Sequence, residues 1–319
     1  MATLPTSRSR PSGANWDDWT PPPCPDISDV DFWPEAAPWT EKVRGRLVDT
    51  ARTKRLTEAG VDKGVRHGAN PKTKDGVRGG YPFQRIDNQP TRTRRVYESK
   101  VPPSFTRGFF PSTMVPLPDL SGGEYVRRFG DPTVTGTDAG AIFLDAEERT
   151  LYEISAFGPT NQDCTTWRSG RVTAWDLDRD WRDQPGGLSA SRVPLLPMLP
   201  TFEQYESGDL GHALHLSLAG YAKEAPVGFS RGHDGEIQNH PLRNGERLRL
   251  TEAALLKITS QQLTLTAQDR VLLHALYTYG VVLTDRTSQT VDHTLRQPMD
   301  PRIVLNVILR LTDFEVLLP

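Results

Sequence analysis

The sequence is short of cysteine and of long apolar runs. Only two cysteines occur among 319 residues, Cys24 and Cys164, which excludes a disulfide framework. The pair could form one long-range disulfide or remain as two free thiols. No run of about 18 apolar residues is present, so we expect no insertion into a membrane. Residues 1–16 lack the apolar stretch of a signal peptide, and we therefore expect none.

The sequence also lacks the motifs of nucleotide enzymes and metalloproteases. It has no phosphate-binding loop, no Gly-x-Gly-x-x-Gly after a strand and no His-Glu-x-x-His. His212 and His215 lie three apart in a predicted strand, which places them on opposite faces and argues against a shared metal. His233 and His240 lie in a loop with acidic neighbours, where a loose metal or acid-base site competes with ordinary loop polarity. We expect no metal and no cofactor.

The charges are unevenly distributed, although the formal net charge is only -2. Residues 1–40 contain 2 basic and 6 acidic side chains, residues 41–100 contain 16 and 7, and residues 101–319 contain 20 and 27. The basic middle segment predicts a region that docks on an acidic surface. Nucleic-acid binding is the alternative, which we rank last because no stacking platform or known module accompanies the basic residues.

Residues 1–40 have few aliphatic side chains but many prolines and aromatic rings. Proline fixes φ and removes a backbone donor, which predicts an extended ribbon rather than a helix or a central strand. Disordered tails contain few aromatic residues. The rings are therefore interpreted as anchors that enter pockets on this chain or on a neighbouring subunit, with a tail of chance aromatics as the alternative. The predicted assembly anchors are Trp16, Trp19, Phe32, Trp33 and Trp39.

The first regular element after this ribbon is a predicted hairpin, with strands at residues 141–144 and 150–153 joined by a polar turn. Strand-like patterns then recur to the end of the chain. Further strands are predicted at residues 167–177, 211–218, 246–250 and 281–285, and helices at residues 41–59, 202–208 and 266–280.

These elements predict a mainly β fold. We expect a single, jelly-roll-like β-sandwich with one or two short helices in residues 101–319. A long extended arm, rich in proline and tryptophan and ending in the basic docking segment, would precede it in residues 1–100.

Acidic and aromatic residues of the β region supply the candidates for chemistry. Two carboxylates that meet could hydrolyse a glycosidic bond, although turn and surface roles explain isolated acids equally well. The acidic candidates for an enzyme are Asp145, Glu153 and Asp285. Aromatic rings can stack on sugars, or they can fill the core of a sandwich. The carbohydrate-binding candidates are Tyr152, Trp167 and Trp175.

Several short motifs occur in one order: GTDAGAIFLDAEERTLYE, WRSGRVTAWDL, GDLGHALHLSL, and RNGERLRL followed by LLHALYTYGVVLTD. In this order residues 100–318 resemble a family of minor tail proteins of mycobacteriophages and other actinobacteriophages, with uncharacterised actinobacterial relatives. The first strand of the family carries a histidine that GAIFLD lacks, so an ancestral active site there would be incomplete. The matching positions are Asp145, Leu151, Tyr152, Glu153, His212, Ala213, Leu214, Arg247, Leu248, Arg249, Leu250, Tyr279, Gly280 and Asp285.

The resemblance implies a structural component of a phage virion, located at the tail tip or a related peripheral site. Its N-terminal arm would dock on other tail proteins, and its β domain could contact the host envelope. A structural role is favoured over an enzymatic one. The alternative is a protein that binds or cleaves the cell-wall polysaccharide of an actinobacterial host.

Overall fold

The fold is known from a computed structural model. It describes residues 27, 29–33, 37–58, 64–67, 83–87, 91–98, 112–118, 140–155, 157–159, 167–184, 186–262, 264–286, 293–295, 303 and 305–319. The anchors Trp16 and Trp19, both cysteines and much of the basic segment lie outside these residues.

Strands dominate the described residues, which confirms the β-rich character predicted from the sequence. The strands are β1 (Gly64–His67), β2 (Phe83–Arg85), β3 (Thr91–Glu98), β4 (Ser112–Pro118), β5 (Ala141–Asp145), β6 (Thr150–Ser155), β7 (Gly158–Pro159), β8 (Trp167–Ser169), β9 (Arg171–Asp176), β10 (Leu214–Leu218), β11 (Arg247–Leu250), β12 (Val281–Arg286), β13 (His293–Leu295), β14 (Leu309–Arg310) and β15 (Phe314–Val316). The α-helices are α1 (Thr50–Glu58), α2 (Phe202–Ser207), α3 (Glu252–Gln261) and α4 (Ala267–Thr278).

The strands form three sheets. The largest has seven strands in the order β14-β1-β13-β10-β12-β11-β15, and the other two have the orders β2-β5-β6-β9 and β4-β3-β8-β7. In the large sheet β10 and β12 run parallel, with Leu214 opposite Val281. A parallel pair needs a long crossover, and the connection here contains β11, α3 and α4.

The predicted hairpin is confirmed and belongs to a sheet that is covered on both faces. Ala141 and Phe143 of β5 enter a small core shared with residues of β4 and β8. Ile142 and Leu144, from the opposite face, enter the main core with residues of the large sheet. This position between two cores explains why β5 is continuously apolar rather than alternating.

Two predicted elements differ from the structure. The predicted strand 167–177 is divided at Gly170, so that β8 and β9 belong to different sheets. The helix predicted at residues 41–59 begins only at Thr50. Its first part cannot be helical because Gly45 has a φ of +98° and the backbone N–H of Val43 donates to Thr278.

Two of the predicted helices begin with a capping box. Thr201 forms a reciprocal capping box with Gln204, and Thr266 forms another with Asp269. Gly208 follows α2 in the left-handed conformation that favours glycine. Helix α3 was not predicted, although Thr251 caps it through a hydrogen bond from the N–H of Ala254.

The described part of residues 1–100 shares sheets with the rest of the chain and so is not a free extended arm. It contributes β1 to the large sheet and β2 and β3 to the two smaller ones. Trp33 and Trp39 are buried, with exposed fractions of 5% and 1%. Their rings therefore fill pockets on this chain itself.

Replacing Trp39 with alanine should lower the free energy of unfolding by about 3–5 kcal/mol, because the change leaves a large cavity in the main core. Urea denaturation would measure this. Leu47→Ala is the matched control in the same segment: Leu47 is 74% exposed, so its loss should change stability by less than about 0.5 kcal/mol. A similar small effect for Trp39→Ala would contradict the burial of this segment.

Candidate functional site

Glu153 belongs to β6, in the sheet β2-β5-β6-β9, which we call the middle sheet. It lies where this sheet meets a loop of residues 186–199, which we call the bridging loop. The side chain is fully buried. Its carboxylate accepts hydrogen bonds from Trp175 Nε1 at 3.1 Å and from the backbone N–H groups of Leu188, Leu195 and Leu196. Burial raises the pKa of Glu153, and the four donors oppose that shift. The carboxylate thus holds the loop against β6 and β9.

Asp145 and Glu153 do not form a catalytic pair, and Asp285 lies in another sheet. Asp145 ends β5, where its side chain accepts the N–H of Glu148 at 3.0 Å and closes the hairpin turn. It lies opposite Thr150, three residues from Glu153, or roughly 10 Å along β6. Asp285 belongs to β12 in the large sheet, where its side chain accepts the N–H of Arg286.

The tryptophans proposed for sugar binding are in the protein interior. Trp167 is 1% exposed and stacks on Phe157 with a centroid distance of 4.9 Å. Trp175 is fully buried, and its N–H is used by Glu153. Tyr152 is half-buried, and burial together with the nearby acids Asp145 and Glu148 raises the pKa of its hydroxyl. Trp167 and Trp175 therefore present no open ring face of the kind that sugar stacking needs, and Tyr152 is only partly exposed.

The described assembly anchors belong to an aromatic cluster in the main core. Trp33 lies edge-on to Trp39 and to Trp175, each with a centroid distance of 6.2 Å. Trp33 Nε1 also donates to the carbonyl of Arg179 at 2.7 Å. Phe32 packs against Trp33 from the partly exposed side. Trp33 thus attaches its part of the chain to the strand β9 and the turn that follows it.

Two arginines of the RLRL strand hold the segment that follows these rings. Arg247 donates to the carbonyls of Pro38, Glu41 and Tyr279, and Arg249 donates to the carbonyl of Val43 at 2.8 Å. Burial lowers the pKa of Arg247 to about 10. We call this pair of arginines the N-terminal clamp. Most contacts of the clamp with the segment are to backbone carbonyls, with one ion pair of 3.7 Å between Arg247 and the side chain of Glu41. Arg249 is itself held by an ion pair with Glu315.

A polar network at the carboxyl edge of β10 and β12 was missed by the sequence analysis. The hydroxyl of Tyr221 donates to Asp234 and accepts from Asn244 Nδ2 at 2.8 Å. Arg286, at the end of β12, lies 3.9 Å from Asp234 and forms an ion pair with Glu236. Together these contacts tie the loop that follows β10 to the end of β12. In the sequence, only the polar composition of that loop indicated these contacts.

His212 and His215 have different partners. His215 is buried on β10 beside the hydroxyl of Thr284. His212 precedes β10, and burial lowers its pKa to about 4. The ring nitrogens of His212 face the carbonyl of Ala213 at 2.9 Å and the side chain of Gln204 at 3.4 Å.

Neither a metal centre nor a membrane span is found in the part of the chain that the structure describes. No group of three or more His, Cys, Asp or Glu side chains there could hold a metal ion. None of its helices has the length and apolar character needed to cross a bilayer.

Comparison with other proteins adds no relative. No family model, curated protein or solved structure matches this chain. Function is therefore inferred from the residues and their contacts.

Replacing Glu153 with glutamine should destabilise the protein by at least about 2 kcal/mol, because an amide NH₂ would face buried N–H donors that lose their acceptor. Chemical denaturation would measure the change. Glu148→Gln, in the exposed turn of the same hairpin, is the control and should have an effect below about 0.5 kcal/mol. Equal effects of the two substitutions would show that the carboxylate does not organise the loop.

Acid should weaken the fold through His212. Its folded-state pKa of about 4 lies below the ordinary value of 6.5, so its contribution is complete above pH 6.5 and is lost as the pH falls toward 4. The loss should total about 3 kcal/mol in the free energy of unfolding. His212→Gln should flatten this part of the pH dependence when both proteins are denatured with urea from pH 7 to pH 4. Identical slopes for the two proteins would contradict the prediction.

Proposed function

We propose that the protein is a structural component of a bacteriophage virion, a minor tail protein that docks through its N-terminal residues. The proposal rests on the ordered motifs between residues 136 and 285 and on the contacts that their residues make. Arg247 and Arg249, both motif residues, hold residues 38–43 on the body of the protein. The motifs thus include residues that hold the chain just after the proposed docking segment.

Other motif residues also have roles in the architecture, which suits a family whose common features specify a fold. Glu153 fixes the bridging loop. Gly280 has a φ of +74°, and a Cβ there would lie 2.3 Å from the carbonyl oxygen of Leu248. A jelly-roll arrangement of the sheets is the finer form of this proposal. Its support is that two of the sheets share the small apolar core.

The protein would use residues 1–26 for attachment to neighbouring tail proteins. Trp33 and Trp39 are committed to the chain's own core, so Trp16 and Trp19 are the anchors left for a partner. Because Trp33 and Trp39 are buried in the core, they would fix the place on the protein from which this segment extends. The proposed location is the virion, with the host cell-wall glycan as a further contact.

The alternative, a protein that binds or cleaves cell-wall polysaccharide, has less support. It would require a surface other than Trp167 and Trp175, because both rings are buried. It would also require an acid other than Glu153, whose carboxylate is occupied by four internal donors.

Deleting residues 1–26 should abolish incorporation into phage particles, because it removes the proposed anchors Trp16 and Trp19. Circular dichroism of the truncated protein would check that it remains folded. The truncated protein would be expressed in place of the full chain during phage assembly, and its copy number would be measured in purified virions. The control is the full-length chain with Trp16→Phe and Trp19→Phe. It keeps an aromatic ring at both anchor positions and should be incorporated normally. Truncated protein present at the normal copy number would refute the docking role.

A further inference from the structure

Residues 37–43, which we call the packed segment, are joined to the rest of the protein by contacts with residues far along the chain. The ring centroid of Trp39 lies 5.7 Å from that of Trp181. At the end of the segment, the N–H of Val43 donates to the carbonyl of Thr278 at 2.7 Å. Together with the N-terminal clamp, these contacts make the segment a separate piece that fits into the body of the protein.

The packed segment is connected to the next part of the chain by a tight turn of residues 43–46, which we call the hinge turn. The N–H of Arg46 donates to the carbonyl of Val43 at 3.0 Å and closes it. Gly45 is exposed and has a φ of +98°, and a Cβ built there would meet no atom within 4 Å. An ion pair of 3.4 Å between Arg46 and the exposed Glu41 also spans the turn. The turn therefore depends on the conformational freedom of glycine and on local contacts rather than on packing at Gly45.

Two exposed leucines lie directly beside the hinge turn. Leu47 is 74% exposed and Leu318 is 40% exposed. The N–H of Leu318 donates to the carbonyl of Leu47 at 2.9 Å, and Val48 and Leu317 form an antiparallel bridge. Leu47 and Leu318 are therefore opposite each other on the same face of the sheet. We call them the leucine pair, an apolar surface that gains free energy when a neighbouring molecule covers it.

We propose that two copies of the protein exchange their packed segments, so that Trp39 and Val43 of each copy enter the body of the other. The exchanged segment makes with the second copy the same contacts that it makes within one chain. Opening the hinge turn gives up only its hydrogen bond and an exposed ion pair, and an ion pair of this kind contributes little to stability. The exchange does not depend on the proposed virion role, because it follows from contacts within this chain.

The length of the hinge determines where the two copies touch. From Val43 to Leu47 an extended chain spans at most about 14 Å, so the two bodies must meet close to their hinges. In a dimer with two-fold symmetry the same surface patch of each copy meets itself. The surface beside the hinge is the leucine pair, whose burial adds apolar contact that the single chain lacks.

The test is light scattering during size-exclusion chromatography of the full-length protein. Exchange is first allowed in mild urea at high protein concentration, and the urea is then removed. Gly45→Ala should raise the association constant of the dimer by at least about tenfold. Alanine is strained at the positive φ of the closed turn, whereas the open hinge of a dimer is extended and accepts it. Because each dimer contains two hinges, the relief counts twice.

Gly208→Ala is the matched control. Gly208 also has a positive φ, +88°, and a Cβ there would meet no atom within 4 Å. It follows α2, outside the hinge turn. The control should carry the same backbone strain in monomer and dimer, and so should leave the association constant unchanged.

Replacing both leucines of the pair with serine tests the surface beside the hinge. Leu47→Ser with Leu318→Ser should lower the association constant by at least about tenfold, because the dimer then buries polar groups in place of apolar ones. Both side chains are exposed in the single chain, so the monomer should remain folded.

The rate of dissociation separates segment exchange from simple surface association. Exchanged copies part only after the packed segments leave the cores, so dissociation on dilution should take minutes to hours and should be faster in mild urea. The proposal is overturned if every variant remains monomeric, or if Gly45→Ala and Gly208→Ala have the same association constant. A dimer that separates within seconds, or one that the two serines do not weaken, would also overturn it.

Discussion

The buried carboxylate of Glu153 is the interaction on which the rest of the structure depends. A buried carboxyl group is stable only when hydrogen bonds replace its lost hydration, and the bridging loop supplies three of the four donors. The loop in turn connects the middle sheet to the large sheet through the hydrogen bond from Ser191 to Thr284. Because hydrogen bonds have defined geometry, this site fixes the relative position of two sheets that apolar contacts alone would leave less specified.

The N-terminal segment shows how aromatic residues can replace the aliphatic residues it lacks. Tryptophan buries a large area with few rotatable bonds, so a short ribbon with few aliphatic side chains can still attach firmly to a core. Trp33 and Trp39 provide that area. The proline-rich backbone cannot pair fully as a strand, and Arg247 compensates by donating to the carbonyls of Pro38 and Glu41. The buried rings thus attach the segment to the core, and Arg247 supplies hydrogen-bond donors to its backbone carbonyls.

Local features could be predicted from the sequence, and long-range ones could not. The hairpin β5-β6 and the capped starts of α2 and α4 follow from residues within a few positions of one another. The start of α1 was misplaced because backbone donors near Val43 are taken by distant carbonyls. The role of Glu153 was equally hidden, since its partners are 22 to 43 residues away. A lone acid within the apolar strand TLYEIS was the only local sign of burial.

Residues that specify a fold need partners inside the protein, whereas exposed residues are free of that requirement. In this protein the two kinds of residue are distinct. Glu153, Arg247 and Gly280 are buried, and internal contacts use their polar groups or conformational freedom. Such residues can be shared by proteins of one architecture whatever those proteins bind. Arg192 differs, because its guanidinium is exposed while its backbone is held in a strained conformation by the loop. The inner N–H groups of the bridging loop thus stabilise the fold, and the side chain of Arg192 faces the solvent.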